Sequence, residues 1–383
     1  MNIIKTIKKY KKENKIKRST LGMLIDYFVF RLKYHIGIYD YLNNSLFDKK
    51  IDHSNYYNNL HTYIHKWRNC VKYYAKEKKR SWIFFHHIEY LFFKVLYPGL
   101  DAMDYLRYEF YSLPHKKRKA FITEGFLKKM NNHFNPKNSI TNDYYNVLDN
   151  KIRFNSFFND FIKRNWISSK EDYSHFFDFC NSNKTLFLKP ASGGGGSGIE
   201  KVTINSESEI EEVFNRINNK DFILEEPIIQ SDELNRLNRS SVNTIRVYTV
   251  IYNNDVVVIG ATLRIGNGKG VTDNYSSGNY AANIDIEKGM VDSTAVSQFG
   301  ERILHHPVSK VPIAGFKIPN WNLVIEAAKS AHLKIKQLRY IGWDVAIDKN
   351  NVPLLVEGNT FAGVELQQHP LLIGKKYIYK KYW

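Results

Sequence analysis

The segment LFLKPASGGGGSGIEKV, residues 186–202, restricts what this chain can fold into more than any other stretch. Gly193, Gly194, Gly195, Gly196, Ser197 and Gly198 lie between two apolar pieces, TLFLK and IEKVTI, that read as strands. Glycine loses more conformational entropy on ordering than any other residue, so a compact fold holds such a run only for a reason. A flexible linker needs polar flanks, and these are not polar. Gly193, Gly195 and Gly198 satisfy G-x-G-x-x-G, but that dinucleotide pattern must open a helix. Here IEKVTINS is rich in β-branched residues and reads as a strand. No G-K-[ST] closes the loop as a Walker motif would. Two readings remain open: an ordinary long hairpin loop, or a glycine-rich hairpin whose backbone N–H groups fold over phosphates. Lys189 stands at the loop's mouth, where an ammonium would neutralise phosphate.

The 383 residues allow two or three domains with ample core. The two cysteines, Cys70 and Cys180, lack metal-like spacing and form no disulfide framework, which fits a reducing compartment. The first residues are basic without an apolar stretch or small-residue cleavage site, so no secretory signal is legible. Residues 81–100, SWIFFHHIEYLFFKVLYPGL, are interrupted by His86, His87, Glu89 and Lys94. That falls short of the roughly 18 clean apolar residues of a membrane span and predicts a buried or interfacial amphipathic helix. The expected location is cytoplasmic.

A net charge of +18 asks for a partner or an explanation. Residues 1–20 hold eight Lys/Arg against one Glu, and KEKKR (76–80) and HKKRK (115–119) follow. Solvated lysine, contact with an anionic membrane surface, and nucleic acid all fit the charge. No recognition helix, zinc finger or RNA-binding aromatic motif accompanies the runs, which makes nucleic acid the least supported partner.

Up to about residue 130 the spacing predicts helices, among them LGMLIDYFVFRLKYHIGIYDYL, NYYNNLHTYIHKWRNCVKYYAKEKK and PGLDAMDYLRYEFYSLP. Residues 131–144, NNHFNPKNSITNDY, read as a polar linker. Beyond it, TLFLKPA, GIEKVTI and DFILEEPI read as strands, with a helix SESEIEEVFNRI capped by Ser206. A hairpin NTIRVYTVIY–NND–VVVIGATLRI, a helix NLVIEAAKSAHLKIKQL and a last hairpin RYIGWDVAID–KNN–VPLLVEGN complete the chain's order.

The last hairpin brings Asp344 within a residue of Glu357 across the ladder, and Glu357 shares a face with Asn359. Two carboxylates and an amide at a strand end suit Mg²⁺, which takes hard oxygen ligands. A solvent-facing acidic hairpin is the plainer alternative, but the neighbours are apolar, and buried carboxylates need partners. The middle hairpin sets Arg246 near residue 262 and Arg264 near residue 244, both on one face. Guanidinium forks match carboxylate and phosphate oxygens. Asn243 in SVNT, with Asp273 and Asn274 in the loop IGNGKGVTDNYSSGNYAAN, are candidates for contact with a substrate. FILEEPIIQ ends a strand with two acids and a proline, as a crossing between lobes would. His305, His306 and His369 have no metal partner in the pattern and read as core or surface histidines.

The order Lys151 in LDNK, Lys189 before a glycine loop, LEEP, N-T-x-R, then D…E-x-N resembles the ATP-grasp superfamily. SVNTIRV, LRIGNGKGVTDN, AGFKIPNW and YIGWDVAID…LLVEGNT narrow the resemblance to sugar-transfer-associated ATP-grasp proteins found with bacterial polysaccharide genes. It covers about residues 140–365. It implies an α+β fold: two lobes gripping ATP, 136–225 and 226–383, after a basic helical region 1–135. Lys151, Lys189, Gly193–Gly196 and Ser197 would then contact the phosphates, Glu225 and Glu226 the adenine edge, and Glu233 the ribose. Asp344, Glu357 and Asn359 would hold Mg²⁺, and Arg246 and Arg264 would serve catalysis. HHPVSKVPIAGF departs from the family, which more often carries an acidic or Thr-Gly element there. The implied reaction is ATP-dependent joining of a carboxylate to an amine or thiol through an acyl phosphate. Its setting would be bacterial polysaccharide or sugar-precursor modification. A membrane-docked nucleotide-binding module is the alternative.

Overall fold

The computed structural model describes residues 67–383 apart from 76, 98, 195–197 and 271. The helices expected before residue 67, and the basic run 1–20, lie outside the described residues. The chain forms two compact units. Among the described residues, one is 67–113 with 123–125, the other 114–122 with 126–383.

The first unit contains helices α1 (Arg80–Leu96) and α2 (Ala102–Arg107). Asp101 caps α2 by accepting the Asp104 N–H at 2.7 Å, as an acidic N-cap should. Trp67 stacks on Tyr90 at 5.3 Å, and both are buried with Tyr105. Tyr105 donates its hydroxyl to Glu89 at 2.6 Å, so this helical acid faces inward. Among the described residues no helix is long and apolar enough to cross a membrane.

In the second unit the expected linker is instead helical. Helix α3 (Glu124–Phe134) ends and α4 (Ser139–Asp149) begins inside residues 131–144. Asn138 and Thr141 form a reciprocal capping box, a start signal hidden in a run of polar residues. Asn135 is fully buried between them and holds the backbone of Tyr340 at both its N–H (3.0 Å) and C=O (2.7 Å). Helix α5 (Lys151–Phe157) follows, capped by Asn150.

A small antiparallel sheet contains β1 (Trp166–Ser168), β2 (Thr185–Pro190), β3 (Glu200–Thr203) and β4 (Phe222–Glu225) in the order β1-β4-β2-β3. The glycine stretch therefore joins two paired strands, with Leu188 opposite Glu200. Gly198 has φ +74°, and a Cβ there would meet Pro190 Cγ at 2.9 Å, so the loop's exit requires glycine. Helix α6 (Tyr173–Ser182) and the Ser206-capped helix α7 (Glu207–Ile217) pack together with this sheet's apolar residues.

The large sheet comprises β5 (Ile245–Tyr252), β6 (Asp255–Ile265), β7 (Tyr280–Asp285), β8 (Met290–Val291), β9 (Ala295–Ser297), β10 (Arg302–Ile303), β11 (Tyr340–Ile347) and β12 (Pro353–Asn359). Its order is β10-β9-β7-β6-β5-β11-β12, with β8 on β7. Asn253 and Asn254, both at positive φ, make the two-residue turn between β5 and β6. Alternation sorts the faces. Ile245, Val247, Leu263, Ile341, Trp343 and Val345 join the main core with helix α8 (Trp321–Leu333). Tyr248, Val250 and Tyr340 pack with Leu127, Met130 and Phe134 of α3 on the other face. Arg246, Arg264 and Asp344 belong to that second face by the same alternation.

Candidate active site

A cavity of about 290 Å³ lies between the two sheets, and most of the sequence-predicted residues line it. Lys189, Glu225 and Glu226 come from the small-sheet side, and Arg246, Arg264, Asp273, Asn274, Asp344, Glu357 and Asn359 from the large-sheet side.

The register of the last hairpin explains how its acids converge. Asp344 pairs directly with Glu357, but the next pair is Val345 with Leu355. Val356 is the extra residue of a β-bulge, and a bulge re-aims the side chains beside it. Strict alternation would put Glu357 on the face of Leu355, in the core. The bulge instead returns it to the face of Asp344. Asn359 donates to Glu357 Oε1 at 3.2 Å.

Asp344 is 1% exposed and shared by two arginines. Arg246 grips it with Nε on Oδ1 and Nη2 on Oδ2 (2.8 Å), and Arg264 Nη1 reaches Oδ2 at 2.5 Å. Gly342 makes room for this grip: a Cβ there would sit 3.0 Å from Arg246 Cδ and 2.4 Å from Ala362 Cβ. Asp273 braces Arg264 at 3.0 Å and accepts from Thr244 N (2.7 Å) and Oγ1 (2.5 Å). Burial would raise the Asp344 carboxyl, but the two guanidiniums outweigh it and hold it well below the usual carboxylate range. Glu357 goes the other way, pushed up first by burial and then by the charge of Asp344. Its side chain is 39% exposed and only 3.8 Å from Arg246 Nη2.

On the small-sheet side Glu225 is the hub. Its Oε1 accepts from Arg164 and Asn155, both at 2.9 Å, and its Oε2 from Lys189 at 2.5 Å. Burial again opposes ionisation, and Arg164 and Lys189 overcome it, so the carboxyl lies far below its ordinary value. Glu225 thus lines the cavity at the expected edge with its carboxylate already engaged by three donors. Glu226 accepts from Asn165 N (2.9 Å) and Nδ2 (3.0 Å) while lining the cavity.

The remaining expectations separate. Lys151 does not line the cavity; its ammonium donates to the carbonyls of Pro190 (3.1 Å) and Gly193 (2.9 Å) and so holds the base of the glycine loop. Burial lowers its pKa, with Lys189 acting in the same sense. Gly193 and Gly194 leave open space where a Cβ would stand; Gly195, Gly196 and Ser197 lie outside the described residues. Asn243, expected at the substrate, is fully buried. Its amide donates to Gln230 Oε1 and Asn238 O and accepts the Gly266 N–H. It ties three chain segments together and does not reach the cavity. Glu233 lies outside the cavity too and accepts from Asn351 at 3.5 Å. Of the histidines, His306 meets the Gly266 carbonyl at 2.9 Å and His369 the Tyr275 hydroxyl at 2.7 Å, both buried.

Sequence reading missed Arg164, Asn155, Thr244 and the apolar lining residues Phe187, Ile199, Ile228 and Val356. Thr244 was findable, since it sits two residues before Arg246 on the same strand face. Arg164 carried no signal, because a basic residue before a short strand is ordinary. Among the described residues no three of His, Cys, Asp and Glu converge as a metal site. Glu357 and Asn359, half-exposed hard-oxygen donors at the cavity, fit Mg²⁺; Asp344, bound by two guanidiniums, does not fit it in this arrangement.

The sugar-transfer associated ATP-grasp family matches residues 129–371, well over half the chain. Among solved structures the chain is similar to D-alanyl-alanine synthetase A from Vibrio cholerae O1 biovar eltor. The TM-score is 0.39 and the identity 14%, over 62% of this chain and 65% of that one. It is also similar to the ATP-grasp ligase PsnB in complex with a minimal precursor (TM-score 0.39, 11% identity, 63% and 62% covered). An L-amino acid ligase from Bacillus licheniformis is similar at TM-score 0.36 and 12% identity, with 62% and 48% covered. The chain spans less than two thirds of the length of each of these structures. No curated protein matches it.

Proposed function

The chain belongs to the sugar-transfer associated ATP-grasp family, and from that premise we propose that it is an ATP- and Mg²⁺-dependent ligase. It joins a carboxylate to an amine or thiol through an acyl phosphate, in the modification of a bacterial polysaccharide or sugar precursor. The observation that carries this reading is the convergence of Lys189, Arg246, Arg264, Glu357 and Asn359 on one cavity. Phosphoryl transfer needs positioned cations more than a protein nucleophile.

Phe187, Ile199, Ile228 and Val356 supply an apolar slot for a purine. Lys151 holds the loop whose bare glycines approach the phosphates, and Lys189 reaches toward them from its pairing with Glu225. Glu357 and Asn359 would hold Mg²⁺, which when bound neutralises charge on the β- and γ-phosphates. The substrate carboxylate oxygen attacks the γ-phosphorus, and the bond to the β–γ bridging oxygen breaks to release ADP. Arg246 and Arg264, fixed by Asp344 and Asp273, face the transferring phosphoryl group. The amine or thiol then adds to the acyl carbon, phosphate leaves, and the nucleophile's proton passes to solvent.

The test is ATP consumption by the full chain against paired panels of carboxylates and amines, with hydroxylamine present to trap an acyl phosphate. Carboxylate-dependent hydroxamate with equimolar ADP is the expected result. ADP release that no carboxylate stimulates, with no hydroxamate, would overturn the ligase reading.

A second reading, contact with an anionic membrane surface, is favoured by the exposed Phe84 (62%), Phe85 (65%) and Ile88 (52%) on α1 just after the exposed Lys78, Lys79 and Arg80. An apolar row beside basic residues is the pattern of an interfacial helix. Co-sedimentation with phosphatidylserine-containing vesicles should fall when Phe84 and Phe85 are both changed to Ser. Equal sedimentation of the two proteins would remove this reading.

A further inference from the structure

The acids of the last hairpin have unequal surroundings. Asp344 is buried, and the donors it accepts from are guanidinium N–H groups: Nε and Nη2 of Arg246, and Nη1 of Arg264. Arg264 is tied in turn to Asp273, and Asp273 to Thr244. Two cations and two anions thus form a buried chain, which Glu357 adjoins at 3.8 Å from Arg246 Nη2 and against the Asp344 carboxyl. Moving Asp344 onto a metal would strand two buried guanidiniums, and breaking such a set is costly. Glu357 has no such grip, since it is half-exposed with its nearest guanidinium nitrogen at 3.8 Å. Arg264 keeps one buried N–H, Nε, without a partner while lining the cavity. That is the donor an incoming oxyanion would take.

We infer that Asp344 is a positioning residue, holding Arg246 and Arg264 as a fixed cationic pair facing the cavity. The cation is then held by Glu357 and Asn359 with the nucleotide's own phosphates. Asp344 is not one of its ligands. The inference deepens the ligase reading and rests on it only for the nucleotide. Its consequence is a division of labour along one strand pair. β12 supplies the metal's oxygens, and β11 orients the arginines that meet the substrate's oxyanion.

The experiment is a Mn²⁺ titration of the full chain, read by the EPR signal of free Mn²⁺, with and without saturating ADP. Glu357→Gln should weaken Mn²⁺ at least 10-fold in the ADP complex, and Asp344→Asn less than 3-fold. Equal weakening by the two substitutions would overturn the inference. Because Asp344→Asn removes a buried partner, the wild-type chain provides a second measurement that does not depend on that variant folding. With ¹⁵N-labelled arginine, the Arg246 Nε–H signal, assigned by its loss in Arg246→Lys, should stay slowly exchanging when Mg²⁺ and ADP are added. Its passage into fast solvent exchange would mean that Asp344 lets go of Arg246 to take the metal, and the inference would fail. If ADP does not bind at any metal concentration, the nucleotide reading falls. The titration and the exchange measurement with metal alone then still decide between Glu357 and Asp344.

Discussion

On the small-sheet wall of the cavity, Glu225 is shared by Arg164, Lys189 and Asn155; on the large-sheet wall, Asp344 is shared by Arg246 and Arg264. Both carboxylates are buried and both are held far below their ordinary range by guanidinium or ammonium charge. The walls differ in what they leave over. The small-sheet wall offers one lysine on a flexible stem, its side chain 16% exposed. The large-sheet wall offers two braced arginines, each 9% exposed at the side chain, and a second acid, Glu357, that its neighbours do not neutralise. On the proposed ligase reading, the small-sheet wall would follow a nucleotide and the large-sheet wall would hold fixed charge where a bond is made.

Removing Asp344 should break this comparison most severely. Asp344→Ala leaves two buried guanidiniums without their shared anion, and loss of one partner in a buried pair costs about 3–5 kcal/mol. Guanidinium chloride unfolding followed by circular dichroism measures it. A loss under about 1 kcal/mol would mean that the arginines find other partners, and the rigid-wall account would be wrong.

Glu357→Gln should separate function from stability on the same wall. Turnover should fall about 10²–10³-fold, the size of one electrostatic contact in the transition state, while the unfolding midpoint stays at or above that of the parent. A wild-type rate would make the acid structural.

Glu225→Gln should cost less than Asp344→Ala, about 2 kcal/mol at pH 7, because the amide keeps its size and one acceptor for charged donors. The sign of its pH dependence follows from a folded pKa below the unfolded one. The stability contributed is fully present above the unfolded value, about 4.3, and is lost as pH falls through it toward the folded value. Unfolding series from pH 7 to pH 3 should show parent and variant converging below about pH 4. A gap that stays constant would show that Glu225 contributes packing alone.

The smallest effect is expected away from both walls. Arg216 and Glu200 pair at 3.1 Å with side chains about half exposed. Arg216→Ala should shift stability by no more than about 0.5 kcal/mol. A larger loss would show that the small sheet depends on its surface charge as well as on Glu225.

Much of the site was legible because hairpins are local. The turn residues at 253–254 and 349–351 set the register close to them, which brings Arg246 within a residue of Thr262 and Asp344 within a residue of Glu357; a register shift in each hairpin makes the pairs direct. The capping box at Asn138 and Thr141 was legible in principle, yet its polar residues resembled a linker. What made them a helix boundary was Asn135, buried against Tyr340, more than 200 residues away in sequence.

Read alone, the sequence determined three strands of the small sheet, the glycine loop between two of them, the two hairpins and the residue types that would meet at one end of the sheet; β1 and the short strands β7–β10 were not legible, and the start of β7 read as loop. The legible elements follow from periodicities and turn chemistry that act over a few residues. The tertiary structure decided which charges are already answered. It brought Arg164 to Glu225 across 61 positions and Arg246 to Asp344 across 98. It used a one-residue bulge at Val356 to turn Glu357 out of the core and into the cavity. It also buried Asn243 in a knot of backbone contacts. The physical reason is that a carboxylate's role depends on the charge and solvent within a few ångströms, and those neighbours come from chain segments whose meeting no local pattern encodes.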